Sequence, residues 1–458
     1  MFVGREKETA QIKEFLRKCS GSVMIYGKRK VGKTTLLNHA LRNEKNVAYY
    51  ECMKDSLKAN IEGLTDVLVR ERILPAKIDF PSFQELFRYL NSLEGSYNIV
   101  IDEYPYLKVI NKPETVDSVF QSVIDNNLKN VRLFISGSHI GMMKDLLAEK
   151  NALYGRFTLN IRLDELDYTD AARFYPGLDE YDKIGFYSVF GGSPFVNEFI
   201  DSEKNLRENI ISTVLNSSSS VYNYADNLLL SDLSNSSGAE RIFAAIANGR
   251  KKYGEIEKHL RIEKNGLLSK QLIPLINMEI ITKSFPINRP DDKKKVFYEI
   301  NDNLLRFYYA YVYRNKSILQ RIGAEAFYEE YIEQSLITFI SHRFEKICRD
   351  YFSLLVKNGK MKGIRDIGTF YYDDSVTKKN GEFDIVLERK DRFDFYEAKY
   401  YKTPLSHSEM RAEEKQIRDI HGLNPGYIGF ISTAGFEAEP KDYICVTADK
   451  LYSLTSPF

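Results

Sequence analysis

Three groups of residues have types and spacings that can do chemistry. The first, Gly27-Lys28-Arg29-Lys30-Val31-Gly32-Lys33-Thr34, fits G-x-x-x-x-G-K-[ST]. Val23, Met24 and Ile25 precede it as a short apolar run, and Thr35, Leu36, Leu37 and Asn38 open a helical pattern after it. Glycines at both ends let the loop turn its N–H groups toward a phosphate, and a helix N-terminus adds its positive dipole end. Lys33 is expected to reach β- and γ-phosphates and Thr34 to hold Mg²⁺ through its hydroxyl. Lys28, Arg29, Lys30, Val31 and Thr35 complete the expected nucleotide cradle.

The second group is Asp102 and Glu103, which end the apolar run Asn98-Ile99-Val100-Ile101. Nucleotide chemistry needs a carboxylate at such a strand end for the Mg²⁺ shell, which Asp102 fits. Glu103 is placed to orient or deprotonate an attacking water. A later apolar run, Val131 to Ile135, ends in Ser136-Gly137-Ser138. Ser136 and Ser138 are candidate γ-phosphate sensors there, although serines after a strand are also ordinary turn residues. Arg156 reads either as a phosphate contact or as a surface arginine.

The third group lies near the C-terminus. Gly381 to Leu387 reads as a strand carrying Asp384. Glu388 to Arg392 reads as a charged turn, and Phe393 to Tyr400 as the returning strand. At a period of two, Phe395, Glu397 and Lys399 share one face. Asp384 and Glu397 are then a carboxylate pair able to bind Mg²⁺ and polarise a phosphodiester, with Lys399 to position or activate water. The same residues also describe a surface hairpin with a cross-strand salt bridge.

The elements that must position these residues follow from periodicity. A helix carrying Ile12, Phe15 and Leu16 precedes the first strand. Strands near Val47 to Tyr50, at Asp102 and at Val131 to Ile135 alternate with helices, which predicts a parallel sheet covered on both faces. Residues 164–232 read as helical, with a Gly–Pro break at Phe190 to Phe195 and polar boundaries at Ser217 to Ser220 and Ser231 to Gly238. Residues 239–300 read as three helices and a hairpin, the order of a winged helix. Between Gly249 and Val296 there are twelve Lys/Arg against six Asp/Glu. Lys293, Lys294 and Lys295 at the expected hairpin tip are therefore candidate phosphate contacts, or simply a solvated tip. The aromatic stripe of Phe307, Tyr308, Tyr311 and Tyr313 fits packing better than base stacking. Further on, an amphipathic helix from Phe339 to Phe352 carries Glu345. A second helix, Glu409 to Ile420, carries Gln416, and Tyr427 to Ile431 reads as one more strand.

At 458 residues the chain is too long for one core. The expected division is 1–163, 164–232, 233–315 and 316–458. A net charge of +1 confines any nucleic-acid surface to a local patch. The four cysteines, Cys19, Cys52, Cys348 and Cys445, form no C-x-x-C pair, which argues against a zinc ribbon or disulfide framework. A reducing cytoplasm is the expected home. No apolar run is long enough to span a bilayer, and MFVGREKE lacks a signal region.

FVGREKE, GKRKVGKTTLL, IVIDEYPYL, FISGSH, LYGRF and FGGSPF occur in this order. Together they resemble the archaeal-type ATPases of the STAND/AAA-like P-loop group, found also in bacteria. NDNLLRFYYAYVYRN and GEFDIVLERKDRFDFYEAKYYK resemble that group's C-terminal region, of the DUF234 type with a PD-(D/E)xK nuclease-like core. The resemblance implies a multidomain α/β chain: a P-loop NTPase sheet with a helical lid, a winged helix, and a restriction-endonuclease-like domain. It implies that Arg5 and Glu6 approach the base and that Ser138 is a sensor. It matches Asp384, Glu397 and Lys399 to a nuclease core, and Glu345 and Gln416 to its flanking helices. Glu345 joins Asp384 and Glu397 as an expected metal ligand. Phe383 stands where proline often precedes the first aspartate.

The expected function is ATP binding and hydrolysis with Mg²⁺, coupled to DNA binding and metal-dependent DNA cleavage. The alternative is a regulatory ATPase whose later domains bind DNA or a protein partner, or a second copy of the chain, without cutting.

Overall fold

The computed structural model describes residues 2–457 except 18–19, 127, 233–237, 263–265, 293, 375 and 439–440. Cys19, Lys293 and most of the Ser231 to Gly238 boundary therefore lie outside the described residues. The chain divides into two compact units. One comprises Met1–Leu166 with Ser193–Phe195; the other comprises Asp167–Gly192 and Val196–Phe458.

The first unit is built on five parallel strands: β1 Gly21–Tyr26, β2 Val47–Glu51, β3 Tyr97–Asp102, β4 Val131–Gly137 and β5 Leu159–Arg162. Their order is β2-β3-β4-β1-β5. Alternate residues sort to opposite faces, as a sheet covered on both sides requires. Met24, Ile99, Ile101, Leu133 and Ile135 join one core, while Val23, Ile25, Val100, Phe134 and Ile161 join the other. β5 is not named in the sequence reading, because its four residues, Leu-Asn-Ile-Arg, bury little beyond Ile161.

The strand order matters for chemistry. β4 lies between β1 and β3, pairing Tyr26 with Gly137 and Ile101 with Ile135. The C-terminal strand ends therefore align along one edge. The loop after β1, the carboxylates after β3 and the serines of β4 all open there, as ligand sites in open parallel sheets do.

The second unit begins with short helices, including Glu180–Phe190 and Ser220–Asp232. Three helices follow, Ala239–Ala247, Tyr253–Leu260 and Leu267–Asn277, then an antiparallel pair, β6 Ile281–Ser284 and β7 Phe297–Ile300. The β6–β7 connection is not a free tip. Ile287 N donates to Thr369 O at 2.8 Å and Asn288 Nδ2 to Tyr371 O at 2.8 Å. Lys295 Nζ lies 3.6 Å from the centre of the Tyr371 ring, while Lys294 is exposed. Phe307 and Tyr308 are fully buried, with Phe307 against Tyr311 and Phe339, so the aromatic stripe is packing.

A long helix, Glu333–Lys357, buries Leu336, Ile340, Phe344, Ile347, Tyr351 and Leu355 at helical spacing. The last sheet contains β8 Asp366–Asp374, β9 Lys379–Glu388, β10 Phe393–Lys399, β11 Pro425–Ser432 and β12 Ile444–Thr447. β8, β9 and β10 pair antiparallel; β10, β11 and β12 pair parallel, with the helix His407–Arg418 crossing between β10 and β11. The chain is thus a multidomain α/β protein, with a five-stranded parallel sheet in one unit and a mixed sheet in the other. Among the described residues no helix is long and apolar enough to cross a membrane.

Candidate nucleotide site and C-terminal carboxylate site

The loop after β1 is held through its backbone carbonyls by the side chains of Lys33, Arg5 and Ser193. Gly27 has no room for a side chain, since a Cβ there would overlap the Leu163 carbonyl oxygen. Gly32 adopts φ 92°, which glycine takes without strain, and caps the helix Lys33–Leu41. Val31 is buried and anchors the loop. Lys33 Nζ donates to Gly27 O at 3.0 Å and to Lys28 O at 2.9 Å, so its ammonium lies across the loop. Lys28 pairs with Glu165 at 3.1 Å, and Arg29 donates to Tyr106 OH at 3.2 Å. Lys30 Nζ lies 4.4 Å from the Phe195 ring centre, and Ser193 Oγ donates to Lys30 O at 3.2 Å. Thr34 and Thr35 are exposed at the helix start.

The β3 carboxylates meet this loop. Thr34 Oγ1 donates to Asp102 Oδ2 at 3.0 Å. The Ser136 hydroxyl donates to Asp102 Oδ1, and Glu103 N donates to the same oxygen at 2.9 Å. Glu103 turns the chain out of β3 at φ 48°, in the left-handed region. Its Oε2 accepts from Ser138 N at 3.1 Å and Ser138 Oγ at 2.9 Å. Ser138 therefore fixes the rotamer of Glu103.

One participant escaped the sequence reading. The Tyr49 hydroxyl donates to Asp102 and lies 3.2 Å from Thr34 Oγ1. Burial and then the Asp102 charge push its pKa far upward, so it is a neutral donor. Its signal was its place on β2, two residues before Glu51, which pairs with Asp102.

Arg5, expected near a base, donates to Val31 O at 3.2 Å and to the Asp164 carbonyl, bracing the loop; Glu6 opens the first helix. Arg156 is at the other end of the sheet. Its carbonyl accepts from Ser22 Oγ at 2.8 Å, at the start of β1, and its guanidinium holds Asp125 at 2.9 Å. Its reading as a phosphate contact is thereby corrected.

The C-terminal carboxylates occupy the mixed sheet. β10 pairs with β9 through Phe395↔Val386 and Tyr396↔Ile385, and Glu397 and Asp384 each lie one residue beyond that last pair. Burial, then Glu345, raises Asp384 to about 7. Burial also raises Glu397, although Lys399 opposes it. Lys399 Nζ donates to Glu397 at 2.9 Å and to Glu413 at 2.7 Å. Gln416 Nε2 donates to Glu413 at 3.1 Å. Glu413, three residues before Gln416 on the same helix face, was not singled out from sequence. Glu345 contacts His342 at 3.4 Å and lines a cavity with Asp384. Among the described residues no group of three or more His, Cys, Asp or Glu has metal-holding geometry.

Residues 2–196 match the model of an ATPase domain predominantly from Archaea. The N-terminal part of the chain is an archaeal-type P-loop ATPase domain. Residues 308–417 match the model of archaeal and bacterial proteins of unknown function known as DUF234, so the chain also carries that domain. An uncharacterized protein of Methanocaldococcus jannaschii is 29% identical over 367 residues, 79% of each chain. A Walker-type ATPase of Pyrococcus abyssi has a similar fold, with TM-score 0.51 and 19% identity, over 67% of this chain and 96% of that one. The ORC2 protein of Aeropyrum pernix is more distant, with TM-score 0.44 and 11% identity over 69% and 95%.

Proposed function

We propose that the ATPase domain binds ATP with Mg²⁺ and hydrolyses it at the edge formed by β1, β3 and β4. The observation that carries this reading is the joint placement of Thr34, Asp102 and Glu103. Thr34 Oγ1 is 3.0 Å from Asp102, and Glu103 beside it is locked by Ser138. Oxygen donors of this kind suit Mg²⁺, which keeps some waters and takes a few protein ligands. Thr34 and Asp102 would hold it, and when bound it offsets charge on the phosphate oxygens. Lys33 leaves the Gly27 and Lys28 carbonyls to pair with phosphate. Glu103 accepts a proton from, or orients, the attacking water. Ser138 holds that carboxylate in place. Lys33→Ala, titrated with ATP by calorimetry, should lose at least about 100-fold in affinity. Unchanged affinity would end this assignment.

For the rest of the chain, we propose a helical lid, a winged-helix module and a nuclease-like domain, with boundaries near 163, 232 and 315. DNA is the proposed partner, with Asp384, Glu397 and Lys399 as a Mg²⁺-dependent cleavage centre. One observation favours the reading without cleavage: the Lys399 ammonium is already held between Glu397 and Glu413. Plasmid nicking with Mg²⁺, compared with Lys399→Ala, separates them. Nicking lost in the variant supports cleavage, and no nicking by either protein supports a regulatory role.

A further inference from the structure

A cavity of about 360 Å³ lies within the second unit. Its lining includes Lys251, Glu299 on β7, Arg343 and Arg349 on the long helix, and Asp384 on β9. Arg343 is only 2% exposed, yet its Nε and Nη1 have no hydrogen-bond partner. Its nearest carboxylate oxygen is Glu299 Oε2, 3.9 Å from Nη2. Glu299 is shared. Lys251 Nζ lies 3.5 Å from it and Arg306 Nη1 lies 4.0 Å from it. One carboxylate therefore faces three cations, and the buried Nη1 of Arg306 also lacks a hydrogen-bond partner. Burial, with Arg306 beside it, pulls Arg343 down to about 9.

We propose that this end of the cavity is a phosphate-binding pocket, with Arg343 and Lys251 as its principal ligands. A planar guanidinium with free donors matches a tetrahedral oxyanion, and a buried charge left without acceptors is costly. The space is about tenfold that of one water, so a phosphate group fits. Carboxylates line the cavity too, Glu345, Asp350, Asp366, Glu382 and Asp384, and they repel an anion. Phosphate is therefore held only where the Arg343 and Lys251 donors reach it. That a nucleic-acid end supplies the phosphate rests on the C-terminal reading above; that phosphate binds does not.

The test uses the full chain carrying Lys33→Ala, which silences the P-loop. Inorganic phosphate, then one oligonucleotide with a 5′-phosphate or a 5′-hydroxyl, is titrated by calorimetry. Saturable phosphate binding is expected, weakened at least about tenfold by Arg343→Gln. Lys251→Ala, at a side chain 36% exposed, should weaken it several-fold and serves if Arg343→Gln does not fold. Tighter binding of the phosphorylated oligonucleotide assigns the source to nucleic-acid ends. Equal binding of both, with inorganic phosphate still bound, assigns it to small phosphate compounds. No phosphate binding, or binding that neither variant weakens, overturns the pocket. Plasmid cleavage failing while phosphate binds would remove the nuclease reading and leave the pocket standing.

Discussion

Tyr49 shows how one side chain can tune a site that it does not define. Its hydroxyl shares Asp102 with the Thr34 hydroxyl, and those are the two oxygen groups proposed for Mg²⁺. A metal must displace that donor to reach Asp102. Tyr49→Phe removes a hydrogen bond from a neutral donor to a carboxylate and should lower the Mg²⁺ concentration for half-maximal ATP turnover by at least about fivefold. An unchanged or higher requirement would mean that the hydroxyl does not compete. Gly27, Gly32, Lys33 and Thr34 were legible in the sequence because their spacing is local, eight consecutive residues of one loop. Tyr49 was not, because its role depends on β2 lying beside β3, a pairing between residues about fifty positions apart.

At the scale of elements, β7 and the long helix are joined by charge. Glu299 is surrounded by Arg343, Arg306 and Lys251. Burial would raise its pKa, but these cations hold it well below the ordinary carboxylate range. A depressed carboxylate stabilises the fold above its unfolded pKa, about 4.5, and that contribution is lost as pH falls toward the folded value. Glu299→Gln should therefore destabilise the protein at pH 7 at the low end of about 3–5 kcal/mol, since 24% of the side chain meets solvent. Urea unfolding should show the gap to wild type narrowing below pH 4.5. A gap independent of pH would contradict it. The strands carrying Asp384 and Glu397 were legible because each is a largely apolar run meeting the other at a charged turn. It passed over β8, whose Asp-Ile-Gly-Thr start and Asp-Asp end look like loop, and β12, only four residues long. Missing β8 also left Lys295 looking like a free tip, when its ammonium lies over Tyr371 of that strand.

At the scale of the whole molecule, Lys33, Thr34, Asp102, Glu103 and Ser138 all fall in Met1–Leu166, around one sheet edge. The C-terminal carboxylates and the cavity lined by Lys251 and Arg343 fall in the other unit. A net charge of +1 gives no global attraction to nucleic acid, so any such binding depends on local groups such as Lys251 and Arg343. ATP hydrolysis with Glu103 as the residue that handles water is probed by Glu103→Gln in the full chain. ATP binding by calorimetry and single-turnover hydrolysis are measured on the same preparation. ATP affinity within about twofold of wild type and hydrolysis slower by about 10²–10⁴-fold are expected, as for a lost general base. Hydrolysis at the wild-type rate would contradict this role of Glu103.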